Sequence, residues 1–217
     1  MKKKFDLSLY LVTDRKIIGQ KNIFDVITAA IKGGVSAIQL REKDCSTREF
    51  IELAREVKKI VSKFEIPLII NDRIDVAEVV QADGVHIGQS DMLYSDARTL
   101  LGYNSIIGIS VENMSQAQEA ISSDVDYVSI SPVFLTPTKP EAQNFWGVDG
   151  LKEIRRLTDK YLVAIGGINA TNVERVLTAG ADGIAVVSAI CASDDPENAA
   201  RELKTIINKY KKAYENY

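Results

Sequence analysis

The sequence is poor in the residues that announce a metalloprotein, a secreted scaffold or a membrane protein, and each shortage removes a class. Its two cysteines, Cys45 and Cys191, lie far apart without metal-ligand spacing or a nearby histidine, so free thiols are expected rather than a disulfide or a catalytic nucleophile. The single histidine, His86, sits inside an apolar run, where a hydrogen-bonded core or pocket-wall position suits it better than the duty of a general base. No stretch approaches the roughly eighteen apolar residues of a membrane span, and Leu7–Val12 is too short for a signal-peptide core. The expected compartment is cytoplasmic, with no membrane partner. Charge is nearly balanced, 27 Lys and Arg against 30 Asp and Glu for a net −3. Without a clustered basic face, and with Met1-Lys2-Lys3-Lys4 read as a solvated start, nucleic acid is not expected as a partner.

What is present is an ordinary globular composition, 217 residues of which 46% are hydrophobic and 26% charged, enough for one domain spanning 1–217 around one sizeable core. Leu68–Asp91 sets its pattern. Leu68-Ile69-Ile70 is a strand stopping at Asn71-Asp72, Ile74, Val76, Ala77, Val79 and Val80 form a helical stripe, and Gly84–Ile87 is a second strand followed by Gly88-Gln89-Ser90-Asp91. The same alternation runs through the chain. Strands are predicted at Tyr10–Val12, Ala37–Arg41, Ile106–Ile109, Tyr127–Ser131, Leu162–Ile165 and Ile184–Val187. The helices between them carry Ile23 to Ile31, Phe50 to Val61 behind a capping box at Ser46-Thr47-Arg48-Glu49, Ala97-Leu100-Leu101 before Gly102, Ala117-Ala120-Ile121, Leu151-Ile154-Leu157, and a stretch from Asn169 to Gly180. A last helix opens at Asp195-Pro196. The segments GVSAIQL, ADGVHI, DVDYVSI and ADGIAV echo one another on alternate strands, a spacing of two βα units. Eight such units imply an α/β fold of the single-domain (βα)8 TIM-barrel type. A doubly wound sheet is the alternative, without an order reversal or edge hairpin to support it.

In such a barrel, polar residues just past the strand ends share one rim. Asp72 and Asp91 should face each other there, and two carboxylates at a wet rim suit Mg²⁺ bound together with substrate phosphates; the plainer alternative is that Asp72 caps a helix and Asp91 starts a turn. Alternation turns Gln39, Arg41 and Lys43 into the mouth and Leu40 and Glu42 outward. Opposite two aspartates, that is a diphosphate site, or else a rim salt bridge to those aspartates. Thr136-Pro137-Thr138-Lys139-Pro140, inside a long connection Pro132–Asp149 that would suit a lid, can wrap an anion or a ring edge. Ile165-Gly166-Gly167 and Val186-Val187-Ser188 offer backbone amides as a phosphate cradle, and Trp146 is expected to pack the loop.

These residues resemble a family. Leu9-Tyr10-Leu11-Val12-Thr13-Asp14, the runs Q-L-R-E-K at 39–43, I-N-D-R at 70–73, G-V-H-I-G-Q-S-D at 84–91, T-P-T-K at 136–139, A-I-G-G-I at 164–168 and A-V-V-S-A-I at 185–190 are similar, across the whole chain, to thiamine phosphate synthases. The resemblance implies a barrel transferase of thiamine biosynthesis that joins hydroxymethylpyrimidine diphosphate to hydroxyethylthiazole phosphate, releases diphosphate and needs Mg²⁺. It implies that Gln39, Arg41, Lys43, Asn71, Ser110 and Lys139 hold the pyrimidine diphosphate, with Arg41, Lys43, Lys139 and Ser110 catalytic. By the same resemblance Asp72 and Asp91 hold the metal, and Thr136, Thr138, Gly167, Val187 and Ser188 hold the thiazole phosphate. The implied partners are these two small phosphorylated substrates, and a homo-oligomer is left open. After Ser110, relatives continue with a small residue and a histidine, whereas here Val111-Glu112-Asn113 follow; the departure bears on ring contacts from that loop, not on the diphosphate site. The neutral ring nitrogen of the acceptor needs no activating base, so catalysis would rest on stabilising the departing diphosphate. A thiazole tautomerase of the same family would need an acid–base pair and no diphosphate cradle, and a noncatalytic sensor would bind phosphates without turnover. Arg41, Lys43, Asp72, Asp91 and Lys139 together argue against both.

Overall fold

The computed structural model describes residues 5–136 and 145–214. Strands β1 Leu9–Val12, β2 Ala37–Leu40, β3 Leu68–Asn71, β4 Gly84–Ile87, β5 Ile106–Val111, β6 Tyr127–Ile130, β7 Tyr161–Ile165 and β8 Gly183–Val186 pair in parallel and in chain order. β8 returns to β1 with Leu9 opposite Ile184, which closes the barrel and removes the doubly wound alternative. Helices α1 Arg15–Ile18, α2 Ile23–Lys32, α3 Thr47–Ser62, α4 Ile74–Val80, α5 Tyr94–Leu101, α6 Met114–Ser122, α7 Gly147–Leu157, α8 Val173–Thr178, α9 Ser188–Cys191 and α10 Pro196–Tyr214 surround it. The capping box at Ser46 and Glu49 forms in full and starts α3. Among the described residues no helix is long and apolar enough to cross a membrane.

Several details depart from the sequence pattern, each for a local reason. α1 and α9 are four residues long, too short to carry a helical period; α1 exists because Asp14 accepts from the backbone N–H of Lys16 and Ile17. The helix expected after Asn169 begins only at Val173, because Asn169 and Asn172 cap a turn with their side chains. The connection expected as Pro132–Asp149 ends earlier, where α7 starts at Gly147. Val79, Leu100 and Leu157, read as core, are about half exposed or more, since Ala97 on α5 and Leu151 and Ile154 on α7 already fill the contact with the sheet.

Period-two alternation divides the strands between two cores. Leu9, Leu11, Ile38, Leu40, Leu68, Ile70, Val85 and Ile107 face outward beneath the helices, while Tyr10, Val12, Ala37, Ile69, Tyr127, Val163 and Ala185 fill the interior. Gly108 makes room for the largest of these, because a Cβ there would lie 1.9 Å from the Tyr127 ring.

The echo on alternate strands has a physical counterpart. The residue before each even strand bonds back to the strand preceding it. Asp83, Asp126 and Asp182 donate their backbone N–H to the carbonyls of Leu68, Ile107 and Leu162. Their carboxylates accept the N–H of those same residues at 2.9, 2.9 and 2.8 Å. Each carboxylate also takes a cation from the helix that leads into the odd strand: Lys58 at 2.6 Å, Arg98 at 2.7 Å and Arg155 at 2.8 Å. In the first quarter Ser36 stands where the others have aspartate. Its hydroxyl accepts from Leu9 N–H, and Lys204 of α10 reaches it through Ser8. The barrel is thus three copies of one clipped strand pair and a serine variant of it in the first quarter. Asp126→Ala is expected to cost about 2–4 kcal/mol in urea denaturation, since it removes the buried carboxylate shared by Arg98 and the Ile107 N–H, whereas Asp124→Ala, on the exposed side of the same arginine, costs less than about 1 kcal/mol. Equal losses would show that the buried clip adds nothing to a surface ion pair.

Candidate functional site at the carboxyl mouth

The carboxyl ends of the strands open into one cavity of about 520 Å³. Gln39, Arg41 and Lys43 reach it from the end of β2, Asn71 and Asp72 from β3, Asp91 from the turn after β4 and Ser110 from β5. Thr136, Gly167, Val187 and Ser188 close the other side, after β6, β7 and β8. Every site residue anticipated from the sequence that is among the described residues lines this cavity. Thr138 and Lys139 lie outside the described residues.

The cations are held by carboxylates. Lys43 pairs with Asp72 at 2.5 Å, and Arg41 pairs not with Asp72 or Asp91 but with Asp14, at 2.9 Å. Asp14, two residues past the end of β1, was missed, although the reading that singled out polar residues beyond strand ends applies to it equally. Glu42 turns away from the mouth to Arg15, as alternation requires.

Asp72 does not cap α4, whose first turn has no side-chain cap; it sits at φ +63°, with its N–H bonded to the His86 carbonyl. Asp91 does close a turn, accepting from Gly88 N–H at 2.7 Å, and its carboxyl lies beside that of Asp72. Burial, and then the neighbouring Asp72 carboxylate, push the Asp91 carboxyl above the ordinary range. Beside them the buried Asn71 has an amide nitrogen with no partner among the described residues. Two oxygen donors held together at a cost in repulsion fit a hard divalent cation whose other ligands come from a bound molecule and water. Among the described residues no cluster of three or more His, Cys, Asp or Glu offers a denser donor set.

Gly166 and Gly167 form the opposite wall with φ +107° and +65°. The segment after β6 presses directly on them, with Val133 N–H bonded to the Ile165 carbonyl and Phe134 N–H to that of Gly166. A Cβ at Gly166 would come within 2.5 Å of Pro132, so only glycine lets this strap bring Thr136 to the cavity. Trp146 packs the same loop, donating to the Val111 carbonyl. Glu112 also lines the mouth. On the floor His86 bonds to Tyr127 and Ser110, a wall position, while Tyr10 and Tyr127 were not anticipated at all. Inward alternation with Gln39 is the signal that would have found Tyr10. Cys45 and Cys191 are free thiols.

Fold and pocket define a (βα)8 barrel with a charged ligand site at its carboxyl mouth. A family model described as thiamine monophosphate synthase matches residues 9–190. The thiamine-phosphate synthase of Albidiferax ferrireducens is 49% identical over 202 residues, 93% of this chain and 92% of that protein. The one from Chloroflexus aurantiacus is 47% identical over 94% of both chains. A solved thiamine phosphate pyrophosphorylase from Pyrococcus furiosus superposes with a TM-score of 0.87 at 37% identity, covering 94% of this chain and 96% of that one. The chain belongs to the thiamine monophosphate synthase family.

The raised Asp91 carboxyl has a consequence for stability. A group whose pKa is higher in the folded state favours folding while it is protonated and loses that contribution as pH rises through the folded value. In chelator, Asp91→Asn should therefore melt higher than the parent at pH 7, with the gain shrinking as pH falls toward about 4, where unfolded aspartate itself protonates. A variant that melts lower at both pH values would contradict the assigned repulsion.

Proposed function

We propose that this protein is a thiamine phosphate synthase, condensing 4-amino-2-methyl-5-hydroxymethylpyrimidine diphosphate with 4-methyl-5-(2-hydroxyethyl)thiazole phosphate at the mouth just described. The observation that carries the reading is convergence: Arg41, Lys43, two repelling carboxylates and the unpartnered Asn71 amide all open into one cavity. Gln39 and Asn71 offer amides to the pyrimidine diphosphate, Arg41 a planar fork and Lys43 a point charge to its phosphate oxygens, and Ser110 a hydroxyl. Lys139 is assigned to the same anion from the family motif. Asp72 and Asp91 would hold Mg²⁺, which when bound neutralises charge on the leaving diphosphate. Backbone and hydroxyls at Gly167, Val187, Ser188 and Thr136, with Thr138 by motif, would receive the thiazole phosphate across the cavity.

In the reaction the bond between the pyrimidine methylene carbon and the diphosphate oxygen breaks, and the diphosphate leaves with the electron pair. The thiazole nitrogen lone pair then forms the new C–N bond, giving a thiazolium with no proton transferred. A general base is not required, which agrees with a pocket whose histidine is bonded on both ring nitrogens. The residues hold the two rings in line and stabilise charge as it gathers on the diphosphate. Arg41 and Lys43 start out paired to Asp14 and Asp72, so substrate binding exchanges those partners for phosphate oxygens.

The test is diphosphate release from the two substrates with and without Mg²⁺. Asp72→Ala and Asp91→Ala should each lower turnover by about 100-fold or more with the fold retained, and parental activity in both would remove the metal assignment. Ser188→Ala should raise the KM for the thiazole phosphate well above any change for the pyrimidine. The reverse pattern would mean that the two halves of the pocket are interchanged.

A further inference from the structure

Beneath the charged rim the barrel interior holds a continuous run of polar side chains whose middle members, Tyr10, Tyr127 and His86, the chemistry above leaves unused. Gln39 Nε2 donates to the Tyr10 hydroxyl at 2.9 Å, and the Tyr10 and Tyr127 hydroxyls are 3.2 Å apart. The Tyr127 hydroxyl is 2.8 Å from His86 Nδ1, and His86 Nε2 is 2.8 Å from Ser110 Oγ. The run crosses the barrel through β2, β1, β6, β4 and β5. Tyr10 and Tyr127 are fully buried, Gln39 and His86 nearly so, and Ser110, at the end of the run, is the one member partly exposed in the mouth. Gly108 exists to admit the ring in the middle of it.

The run has a direction. An amide nitrogen only donates, so the Tyr10 oxygen accepts from Gln39. Among the described residues the remaining polar neighbour of that hydroxyl is Tyr127, which must take its hydrogen. Burial pushes the pKa of both phenols well above the ordinary range, so both keep their protons. Tyr127 accepts from Tyr10 and gives its own hydrogen to His86 Nδ1. A ring nitrogen that accepts carries no hydrogen, which puts the imidazole hydrogen on Nε2, donated to Ser110 Oγ. The opposite sense, or a doubly protonated imidazole, would leave a tyrosine hydrogen buried with no acceptor, which is unfavourable.

We infer that this one-way chain, Gln39 to Tyr10 to Tyr127 to His86 to Ser110, fixes His86 as the Nε2–H tautomer and leaves the Ser110 hydroxyl hydrogen free to point only into the mouth, so that Tyr127 and His86 are positioning residues for the departing anion. No proton moves along the chain. Its work is orientation: a serine that already accepts from His86 presents its hydrogen to an anion without reorganising when charge builds there. The inference about Ser110 rests on the proposed synthase reading, and the tautomer of His86 does not.

The test separates the two. Because His86 is the only histidine, long-range ¹H–¹⁵N correlation of uniformly ¹⁵N-labelled parent protein gives one pair of ring nitrogens with no assignment ambiguity. Nδ1 is expected in the pyridine-like range and Nε2 in the pyrrole-like range. A hydrogen on Nδ1, averaged tautomers or an imidazolium at neutral pH would overturn the chain whatever the enzyme catalyses. In single-turnover assays Tyr127→Phe, which keeps the ring and loses the hydroxyl, should lower the rate about tenfold while moving either KM less than about twofold. In a Ser110→Ala background the same substitution should change the rate by less than about twofold, because the hydroxyl it orients is gone. Additive losses would show that Tyr127 acts elsewhere and end the positioning role. Parent protein with the expected tautomer but no diphosphate release would overturn the synthase reading and leave the tautomer standing.

Discussion

Closing eight short parallel strands into a barrel leaves each strand residue two directions, inward or outward, and the other features of the molecule follow from that restriction. Once β8 pairs with β1 there is no free edge through which a strand can slip, so the choice made at Leu9 and Tyr10 is shared all round the ring. A one-residue shift in β2 would send Gln39 and Arg41 into the helices and Leu40 into the mouth. The outward layer pays for order through burial beneath α2 to α10, while the inward layer, with Tyr10 and Tyr127 at its centre, has little space to spare. Polar chemistry is then confined to the last inward positions of each strand and the residues just beyond them.

That confinement explains which parts of the molecule could be read from the sequence. Alternation over Gln39-Leu40-Arg41-Glu42-Lys43 is local, and its geometry follows from the chain itself; so do the capping box at Ser46 and the carboxylates closing β3 and the turn after β4. Asp14 as the partner of Arg41, and the chain of contacts from Tyr10 through Tyr127 to His86, join residues far apart in sequence, so no local pattern marks them. The four-residue helices α1 and α9 fall below the length at which a period can be counted, and each owes its existence to a turn or cap instead. Leu100 and Leu157 sit at helical spacing yet face solvent, because helical spacing alone does not reveal how wide the contact with the sheet will be.

Charge at the rim is arranged in opposed pairs. Arg15 meets Glu42, Lys16 meets Asp44 and Arg41 meets Asp14, three crossed pairs between the loop after β1 and the loop after β2. The fully exposed one, Lys16 with Asp44, adds little to stability. The effect of the three is on position: the loop after β2 is tied to its neighbour from three points, which leaves Arg41 and Lys43 aimed at the cavity. Asp72 and Asp91 repel one another, and Lys43, paired with Asp72, offsets that repulsion only in part.

The four clips also bear on how the barrel comes into being. In three quarters, the helix that supplies the cation immediately precedes the strand pair it binds, so Lys58, Arg98 and Arg155 are already made when Asp83, Asp126 and Asp182 leave the ribosome. The first quarter is different: Lys204 of α10 braces Ser8 and, through it, Ser36, across nearly the whole length of the chain. β1 and β2 are therefore the one strand pair whose brace comes from the far end of the barrel rather than from the helix next to it. The seam of this barrel lies where its first strand and its last helix meet, and that quarter carries the contact of longest sequence separation among the four clips.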